Sequence, residues 1–429
     1  MRFLDELAAR RRFGMKPGLN AIRGICAALG DPQKEFKAIH VAGTNGKGAV
    51  CAILDAVLRN VRMPECSNAR MRIGRYTSPH LVKINERFFL DGAPIDDAVL
   101  ERVAGRVNSN IQTFEQSNIT FFEALTAVAF LLYAEAKVDY AILECGLGGR
   151  LDATNVCEPA ISVITRIGLD HCDWLGDTVE KIAAEKAGII KPSIPVVLGR
   201  NEPSVRAIIE AKARELNAPF YYASDFADEN EIPSDFSLSG AFNRENAQTA
   251  LAALKVLFSG DRPLKSEVLQ GFSQALWPGR FQRIGNFIVD GAHNPPAARA
   301  LREALETEDF RCKALDLICG FCGDKDVAEV LSILSPVVRK GFAVRTSNPR
   351  SLSAEETAAK MRAAGIEAVA CASLKDALAA ASGDSKRTTA SEATVLVCGS
   401  LFLAGEALVE LGAYPWGSPR FDGAELLKV

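Results

Sequence analysis

The chain has 429 residues, of which 48% are hydrophobic and 24% are charged, and its formal net charge is −3. A single hydrophobic core rarely holds so long a chain, so we expect two or three domains. The composition is that of a globular protein, and the small net charge gives no reason to expect nucleic acid or an anionic membrane as a partner. No apolar run in the sequence is long enough to span a bilayer.

Cysteine usage and the first residues indicate the compartment. The N-terminal stretch carries Asp5 and Glu6 and lacks the apolar core of a secretion signal. Eleven cysteines are scattered along the chain, and the only close pair, Cys319 and Cys322, has no second pair to complete a zinc site. We therefore expect free, buried thiols and a cytoplasmic protein.

The first predicted elements lead into a glycine-rich stretch, VAGTNGKG, from Val41 to Gly48. A helix within 16–36 comes first, then an apolar strand at 38–41, and apolar residues at helical spacing follow the glycines. Glycine amides, a helix N-terminus and a lysine charge together suit a phosphate group, so we predict a nucleotide site rather than an ordinary strand–helix turn. The residues of this loop that would contact ATP are Gly43, Thr44, Asn45, Gly46, Lys47 and Gly48.

The loop departs from the usual phosphate-loop pattern, because Gly48 and Ala49 follow Lys47 where a Ser or Thr would hold Mg²⁺. A hydroxyl ligand for the metal would then come from elsewhere. Residues 62–75 are polar and basic without a clear period, and we expect a flexible excursion there. It leads into TSPH, where proline holds Ser78 in an extended conformation; Ser78 could supply the hydroxyl, although a plain strand-end Ser-Pro has the same pattern.

A strongly apolar helix is predicted from Thr120, which can cap it, with Glu123 at the capping-box spacing. An apolar strand at 138–143 follows and ends in Glu144, and a glycine-rich loop, CGLGGRLDATN, comes next. Ligands bind at the carboxyl ends of the strands in α/β sheets, and phosphate-loop enzymes hold their metal with an acid at such a position. We therefore predict that Glu144 holds a metal ion.

The rest of the pattern alternates between strands and helices and divides near WPGR, 277–280. Ahead of this point we predict strands at 160–165 and 195–198, helices at 179–191, 202–217 and 243–258, and an irregular acidic stretch at 223–240. Beyond it, five strands alternate with helices, at 287–290, 315–319, 341–346, 367–371 and 394–398. The predicted fold class is α/β, with a P-loop NTPase-like domain and mostly parallel sheet (1–276), a linker (277–282) and a smaller Rossmann-like, doubly wound domain (283–429).

The chain has only four histidines, and three of them follow apolar segments at polar turns. These three, His80, His171 and His293, are candidates for metal ligands or catalytic groups. His40 lies within a predicted strand, so we expect a buried core residue there.

The motifs resemble one known family when they are taken together. GTNGKG, YTSPH, ECGLGGRLDATN, LDH followed by EKAGIIK, PGR and DGAHNP stand here in the order found in folylpolyglutamate synthases and dihydrofolate synthases of the Mur-ligase superfamily. The similarity extends from about Gly18 to the CGSLFLAGE segment. GLGGRLDATN and EKAGIIK are the most specific motifs, whereas GTNGKG alone indicates only the superfamily.

The resemblance implies a role for each matching residue. It assigns ATP contacts to the glycine-rich loop and to Asn246, Arg280 and Asp290, so that groups from both domains would bind the nucleotide. It assigns the ligands of two Mg²⁺ ions to Ser78, Glu144, His171 and a carbamylated Lys186, with a monovalent cation as a further candidate. It assigns pterin contacts to Thr120, Leu151, Asp152 and Ala153. The catalytic group would comprise Lys47, Lys186 and His293.

The implied reaction is ATP-dependent addition of L-glutamate to dihydropteroate, to a tetrahydrofolate polyglutamate, or to both, through an acyl phosphate. The LDATN wording favours the bifunctional type, and a synthase that only extends folate, or another Mur-type amino-acid ligase, is the alternative. A ligase of nucleotide-linked cell-wall precursors would need a further N-terminal domain, for which the roughly 36 residues before the first strand are too few. A P-loop switch or motor would leave the second domain and DGAHNP unexplained. We expect a monomer.

Overall fold

The structure is a computed structural model, and it describes residues 6, 18–62, 70–113, 119–258, 265–307, 315–385 and 394–417. The chain divides into two compact units between Leu276 and Trp277, and two short segments, Leu81–Lys83 and Leu238–Phe242, group with the second unit. The predicted linker at 277–282 therefore lies in the second unit. Among the described residues, no helix combines the length and the apolar character needed to cross a bilayer.

The first unit is built on an eight-stranded sheet with the order β4-β3-β2-β5-β1-β6-β7-β8. The six strands from β2 to β8 in this order are parallel, and β3 and β4 form an antiparallel edge. The strands are β1 (Lys37–Ala42), β2 (Ile73–Tyr76), β3 (Phe88–Leu90), β4 (Ala93–Pro94), β5 (Tyr140–Glu144), β6 (Pro159–Ile164), β7 (Val196–Leu198) and β8 (Phe220–Tyr222). This arrangement confirms the predicted mostly parallel sheet.

Helices accompany this sheet, and their described bounds are Asn20–Ala28, Lys47–Leu58, Asp97–Thr113, Phe121–Ala136, Cys172–Leu175, Val179–Ala187, Pro203–Glu215, Ala223–Phe226, Ala241–Phe258 and Lys265–Gln274. The helix Lys47–Leu58 is buried from its second residue to its end, because it packs between β1, β2 and β5 and the helix Lys265–Gln274. Gly271 makes this close crossing possible, since a Cβ there would lie 2.4 Å from Val57 Cα. The helix behind the phosphate loop is thus held firmly in the core.

The structure corrects the expected flexible excursion at 62–75, because its last three residues belong to β2, a buried strand that pairs with β5. Two residues of this strand interrupt the apolar pattern by which a buried strand is recognised in a sequence. Gly74 leaves room for the Tyr133 ring, which would lie 2.6 Å from a Cβ. Arg75 is buried because Asp55 pairs with it at 3.3 Å and the Phe89 ring lies 3.8 Å below its guanidinium carbon. The stretch 63–69 lies outside the described residues.

The second unit contains a six-stranded sheet with the order β13-β12-β11-β14-β10-β9, in which only β9 is antiparallel. Its strands are β9 (Gln282–Ile284), β10 (Phe287–Val289), β11 (Leu315–Cys319), β12 (Val338–Ala343), β13 (Ala368–Ala370) and β14 (Val395–Cys398). Its described helices are Pro295–Glu306, Val327–Leu334, Ala354–Ala363, Leu374–Ser385 and Leu401–Glu410.

The helices of the second unit belong to two hydrophobic clusters. The first three helices share one cluster with residues of the sheet, and the last two share the other. Because the side chains of β10, β11, β12 and β14 alternate between these clusters, the sheet is covered on both faces. This confirms the predicted doubly wound α/β domain.

Candidate active site at the carboxyl ends of the strands

The glycine-rich loop joins β1 to the helix Lys47–Leu58, as predicted, and its backbone requires glycine at two positions. Gly43 has φ +153° and Gly46 has φ +87°. A Cβ at Gly43 would lie 1.8 Å from Thr165 Oγ1, and a Cβ at Gly46 would lie 2.2 Å from Asn246 Oδ1. Any side chain at either glycine would therefore push the loop out of place.

The end of β6 fixes the shape of this loop through backbone and hydroxyl hydrogen bonds. Thr44 and Asn45 donate their backbone N–H groups to Arg166 O, at 2.9 and 3.2 Å. Thr44 Oγ1 lies 3.0 Å from Gly168 O and accepts from Gly168 N at 3.1 Å. Thr165 Oγ1 donates to Asn45 O at 2.7 Å. These hydrogen bonds anchor the loop, and none of them uses the backbone N–H group of a loop glycine.

Two lysines converge on one carbonyl oxygen of the loop. Lys47 Nζ lies 3.0 Å and Lys186 Nζ 2.8 Å from Gly43 O, and Lys47 also reaches Thr44 O at 3.1 Å. Lys186 comes from the helix Val179–Ala187 and is only 3% exposed. Burial, with the Lys47 charge adding to it, lowers the pKa of Lys186 to about 7. The loop therefore concentrates positive charge at a place suited to an anion.

Glu144 stands beside this loop, because its residue pairs with Val41 where β5 and β1 run in register. Its side chain is buried, and Ser78 donates its backbone N–H to Glu144 Oε2 at 2.9 Å. Ser78 follows β2, the other parallel neighbour of β5, so the carboxyl ends of the two strands bring the two residues together. The structure thus brings Ser78 and Glu144 together beside the loop, and the role of the Ser78 hydroxyl as a metal ligand stays a prediction.

His171 lies on the connection that leaves β6, directly before the short helix Cys172–Leu175. Its φ is +52°, its side chain is 44% exposed, and its Nε2 lies 4.0 Å from Asp170 Oδ1. Among the residues that the structure describes, no group of three or more His, Cys, Asp or Glu side chains is arranged to hold a metal ion. The metal role of His171 stays a prediction.

Asp152 holds a second glycine-rich loop, which follows β5 and is distinct from the phosphate loop. Its Oδ2 accepts from the backbone N–H groups of Gly146 and Leu147, at 2.8 and 2.9 Å. Its Oδ1 accepts from Thr154 N at 3.0 Å and from the Thr154 hydroxyl. Burial raises the pKa of Asp152, and these hydrogen bonds act in the opposite direction. Leu151 is partly buried and Ala153 begins the 3₁₀ turn Ala153–Val156.

Thr120 caps the helix Phe121–Ala136 and forms the predicted capping box with Glu123. Phe122, in the first turn of this helix, lies against the loop held by Asp152, since a Cβ at Gly146 would lie 2.5 Å from Phe122 Cζ. One aromatic ring thus connects the helix that Thr120 caps to the loop that Asp152 holds. Phe122 was not singled out from the sequence, although the paired phenylalanines after Thr120 were a visible signal.

Asn246, on the helix Ala241–Phe258, reaches the phosphate loop, with its Oδ1 close to Gly46. Its Nδ2 lies 3.4 Å from Asn243 Oδ1. This places a polar amide next to the loop, as expected for a residue in contact with the nucleotide.

In the second unit, polar groups gather at the carboxyl end of β10. Asp290 is buried and accepts from the backbone N–H groups of Phe281 and Ala292, each at 2.7 Å. Burial raises the pKa of Asp290, and the nearby Arg280 charge opposes this rise. His293 Nδ1 lies 2.8 Å from Gly291 O, to which it donates when that nitrogen carries the proton. Arg280, Asp290 and His293 therefore form one cluster.

The remaining two histidines are buried. His80 Nδ1 accepts from Arg87 Nε at 3.0 Å, so this ring is engaged within the first unit. His40 is fully buried in β1, as expected, and burial lowers its pKa to about 3. Its Nε2 lies 2.8 Å from Thr154 Oγ1 and 3.1 Å from Cys145 Sγ, a contact set that the sequence did not indicate.

Comparison with known proteins gives two family matches and a set of full-length relatives. The Mur ligase middle domain matches residues 41–254, and the Mur ligase glutamate ligase domain matches residues 279–401. A dihydrofolate synthase/folylpolyglutamate synthase of Bacillus subtilis is 33% identical over 379 residues, which cover 81% of this chain and 85% of the relative.

Solved structures with the same fold carry ligands. A folylpolyglutamate synthase of Mycobacterium tuberculosis, complexed with ADP and AMPPCP, has a TM-score of 0.86 at 30% identity and covers 96% of this chain and 99% of its own. A bifunctional folylpolyglutamate synthase/dihydrofolate synthase with Mn, AMPPNP and L-glutamate bound has a TM-score of 0.80 at 30% identity and covers 95% and 97%.

Proposed function

Because the chain belongs to the Mur ligase family of dihydrofolate and folylpolyglutamate synthases, we propose that it is an ATP-dependent ligase that joins L-glutamate to a folate-type acceptor. The acceptors would be dihydropteroate and a tetrahydrofolate polyglutamate, as in a bifunctional synthase. One observation carries the proposal most directly. The charged Lys47 and the buried Lys186 side chain meet at one carbonyl of a glycine-rich loop, and the buried carboxylate of Glu144 stands at the adjacent strand end.

The chemistry requires activation of a carboxylate, which is a poor electrophile because its negative charge repels an amine. An oxygen of the acceptor carboxylate attacks the γ-phosphorus of ATP, the bond to the β-phosphate oxygen breaks, and ADP leaves. The glutamate amine then attacks the carbonyl carbon of the acyl phosphate, loses a proton, and expels phosphate as the amide forms. No nucleophilic side chain is needed, so the protein contributes alignment and charge neutralisation.

The residues of the first unit suit these tasks. The loop amides and Lys47 would hold the β- and γ-phosphates, because Lys47 can leave the carbonyls of Gly43 and Thr44 for a phosphate oxygen. Asn246 lies next to the same loop and would contact the nucleotide. Arg280 and Asp290 are the nucleotide contacts that we propose in the second unit, and His293 is the catalytic residue that we propose there.

The donor set at Glu144 fits a Mg²⁺ ion. Mg²⁺ usually keeps several waters and is held by one or two carboxylates together with substrate phosphates, so a large protein cage is not required. Glu144 and Ser78 would provide the first protein ligands, with His171 and a carbamylated Lys186 as further proposed ligands for two ions. Bound Mg²⁺ neutralises phosphate charge during phosphoryl transfer. A monovalent cation remains part of the proposal without a residue assigned to it.

We place the pterin side of the acceptor at Thr120, Leu151, Asp152 and Ala153. What supports this assignment is that the Phe122 ring, on the helix that Thr120 caps, lies against the loop held by Asp152, and an aromatic ring is a suitable neighbour for a flat aromatic ligand.

A substrate matrix tests the proposed function. Dihydropteroate, dihydrofolate and tetrahydrofolate are each incubated with ATP, Mg²⁺ and L-glutamate, and ADP release is measured with and without each substrate. We expect ADP release that requires both acceptor and L-glutamate, with products one glutamyl residue heavier by mass spectrometry. Lys47→Ala should reduce kcat by about 10²–10³-fold, the usual result of losing one charge contact in the transition state.

The pattern of acceptors separates the alternatives. Activity with dihydropteroate and with tetrahydrofolate supports the bifunctional enzyme, whereas activity with reduced folates alone would restrict it to a folylpolyglutamate synthase. ADP release that depends on neither the acceptor nor glutamate would refute the proposed ligase activity and favour a phosphate-loop switch.

A further inference from the structure

His40 is a buried titratable residue for which the proposed reaction has no use. It belongs to β1, three residues before the phosphate loop, and it is 0% exposed. Its Nε2 contacts Thr154 Oγ1 at 2.8 Å and Cys145 Sγ at 3.1 Å. Cys145 follows directly after Glu144, and Thr154 lies in the 3₁₀ turn after Asp152. One imidazole therefore connects the strand of the phosphate loop to both ends of the loop that follows β5.

The direction of each hydrogen bond can be assigned from its partners. Three backbone N–H groups point at the Asp152 carboxylate, and an N–H can only donate, so the ionised carboxylate satisfies all of them. The Thr154 hydroxyl then donates its single proton to Asp152 Oδ1. Thr154 Oγ1 is left as an acceptor, and His40 donates to it from Nε2. The neutral imidazole carries its proton on Nε2, since its Nδ1 is buried without a hydrogen-bond partner among the described residues.

These bonds form a continuous buried chain. It runs from His40 through the Thr154 hydroxyl to Asp152, and from Asp152 to the amides of Gly146 and Leu147. Asp152 thus depends on the Thr154 hydroxyl for one of its four donors, and the orientation of this hydroxyl depends on His40. Buried polar chains of this kind favour one arrangement of the groups that they connect.

We propose that His40 and Thr154 are positioning residues that hold Asp152, and with it the loop 145–152, in the arrangement that binds the acceptor. Neither residue touches substrate; both act through Asp152. The proposal rests on the proposed function, in which Asp152 and its neighbours contact the pterin side of the acceptor. If His40 and Thr154 only stabilised the core, substituting them would lower the stability of the fold and leave acceptor binding unchanged.

The test compares variants that keep or remove single hydrogen-bonding groups in the full-length enzyme. Thr154→Val removes the hydroxyl at nearly the same volume, and Thr154→Ser retains it. His40→Leu removes the donor, and His40→Gln keeps an N–H at similar reach. Thr357→Val serves as the matched control, because the hydroxyl of Thr357 is also buried but has no partner among the described residues.

Two readouts are measured on each variant. The first is KM for dihydropteroate and for ATP. The second, which needs no substrate, is amide hydrogen exchange across 145–152. Thr154→Val and His40→Leu should raise the KM for dihydropteroate at least about tenfold, as expected when a charge-assisted hydrogen bond is lost, and leave the KM for ATP within about twofold. Exchange in 145–152 should accelerate by at least about tenfold in the same variants. Thr154→Ser, His40→Gln and Thr357→Val should resemble the wild type.

Two outcomes overturn the proposal when the wild type shows acceptor-dependent activity. An unchanged KM for dihydropteroate in Thr154→Val, or equal losses in Thr154→Val and Thr154→Ser, would make the chain a feature of the core alone. If the wild type has no acceptor-dependent activity, the proposed function fails, and the exchange readout then decides by itself whether His40 and Thr154 hold the loop. Unaltered exchange in Thr154→Val and His40→Leu would refute the positioning role in that case. If Thr154→Val does not fold, the His40 pair gives the decision.

Discussion

Lys186 is the residue whose environment is hardest to explain if it remains a simple ammonium. It shares one carbonyl acceptor with Lys47, it is almost fully buried, and among the described residues no carboxylate accepts a hydrogen bond from it. Its pKa of about 7 means that an appreciable share of the amine is neutral near neutral pH. A neutral amine can add CO₂ and become a carboxylate on a long stem, which would reverse the charge beside Lys47.

We predict that Lys186→Ala reduces kcat by on the order of 10²–10³-fold and that a small carboxylic acid, such as acetate, partly restores it. Lys191→Ala is the matched control, because Lys191 is also partly buried and donates to a backbone carbonyl, Asn155 O, at 3.0 Å. Since only the neutral amine reacts, activity at limiting CO₂ should rise with pH through about 7 in the wild type. Steady-state assays with and without acetate test the rescue, and the same assays across pH test the pH dependence. Normal activity in Lys186→Ala, or a rescue of Lys191→Ala as well, would contradict the carbamate.

For single residues, the sequence predicts the role of those whose partners are close in the chain or whose motif is contiguous. The phosphate loop was found because its glycines and lysine stand side by side, and the Thr120 capping box because its members are three residues apart. His40 was correctly expected in the core, but its partners are 105 and 114 positions away. Nothing local distinguishes a histidine that contacts only its core neighbours from one that orients a hydroxyl.

At the scale of elements, β2 is what connects the edge of the first sheet to the phosphate-loop helix. Its Arg75 pairs with Asp55 on the helix Lys47–Leu58, and both side chains are about 3% exposed. Desolvation of such a pair is costly, and removing one partner leaves an uncompensated buried charge. Because Asp55 also pairs with Arg59 at 3.1 Å, the acid is the member on which both cations depend.

Asp55→Asn should therefore lower the free energy of unfolding by about 3–5 kcal/mol, as measured by urea denaturation. The control is Glu210→Ala, which breaks an exposed pair with Arg214 and should change the free energy by only about 0–1 kcal/mol. Equal, small effects in the two variants would show that the buried pair does not secure β2.

Long apolar elements were predictable and short mixed ones were not. The runs that became β1, β5, β6 and β11 are mostly apolar, with one or two polar residues each, so their buried position was visible in the sequence. The three-residue strands β8 and β9 were not predicted, because their pairing with β7 and β10 is not evident from a run of three residues. Strand β12 begins three residues earlier than expected, because Val338–Lys340 pairs with β11 despite its two cations.

At the scale of the whole molecule, the two units repeat one design. Each has a largely parallel sheet, and in each the polar residues of interest follow the carboxyl ends of strands: Glu144 and the phosphate loop in the first, Asp290 and His293 in the second. Such edges are where α/β folds bind ligands. The α/β class followed from the alternating pattern alone, whereas the activity required the specific residues at these edges.

The central claim is that the enzyme transfers a phosphoryl group to the acceptor carboxylate before glutamate attacks. The most direct measurement uses dihydropteroate labelled with ¹⁸O in its carboxylate, together with ATP and L-glutamate, and determines the isotope content of the phosphate released. The acyl phosphate route predicts one acceptor oxygen in each phosphate molecule formed, because the carbon–oxygen bond breaks when the amide forms. Unlabelled phosphate, released in step with the amide, would contradict it.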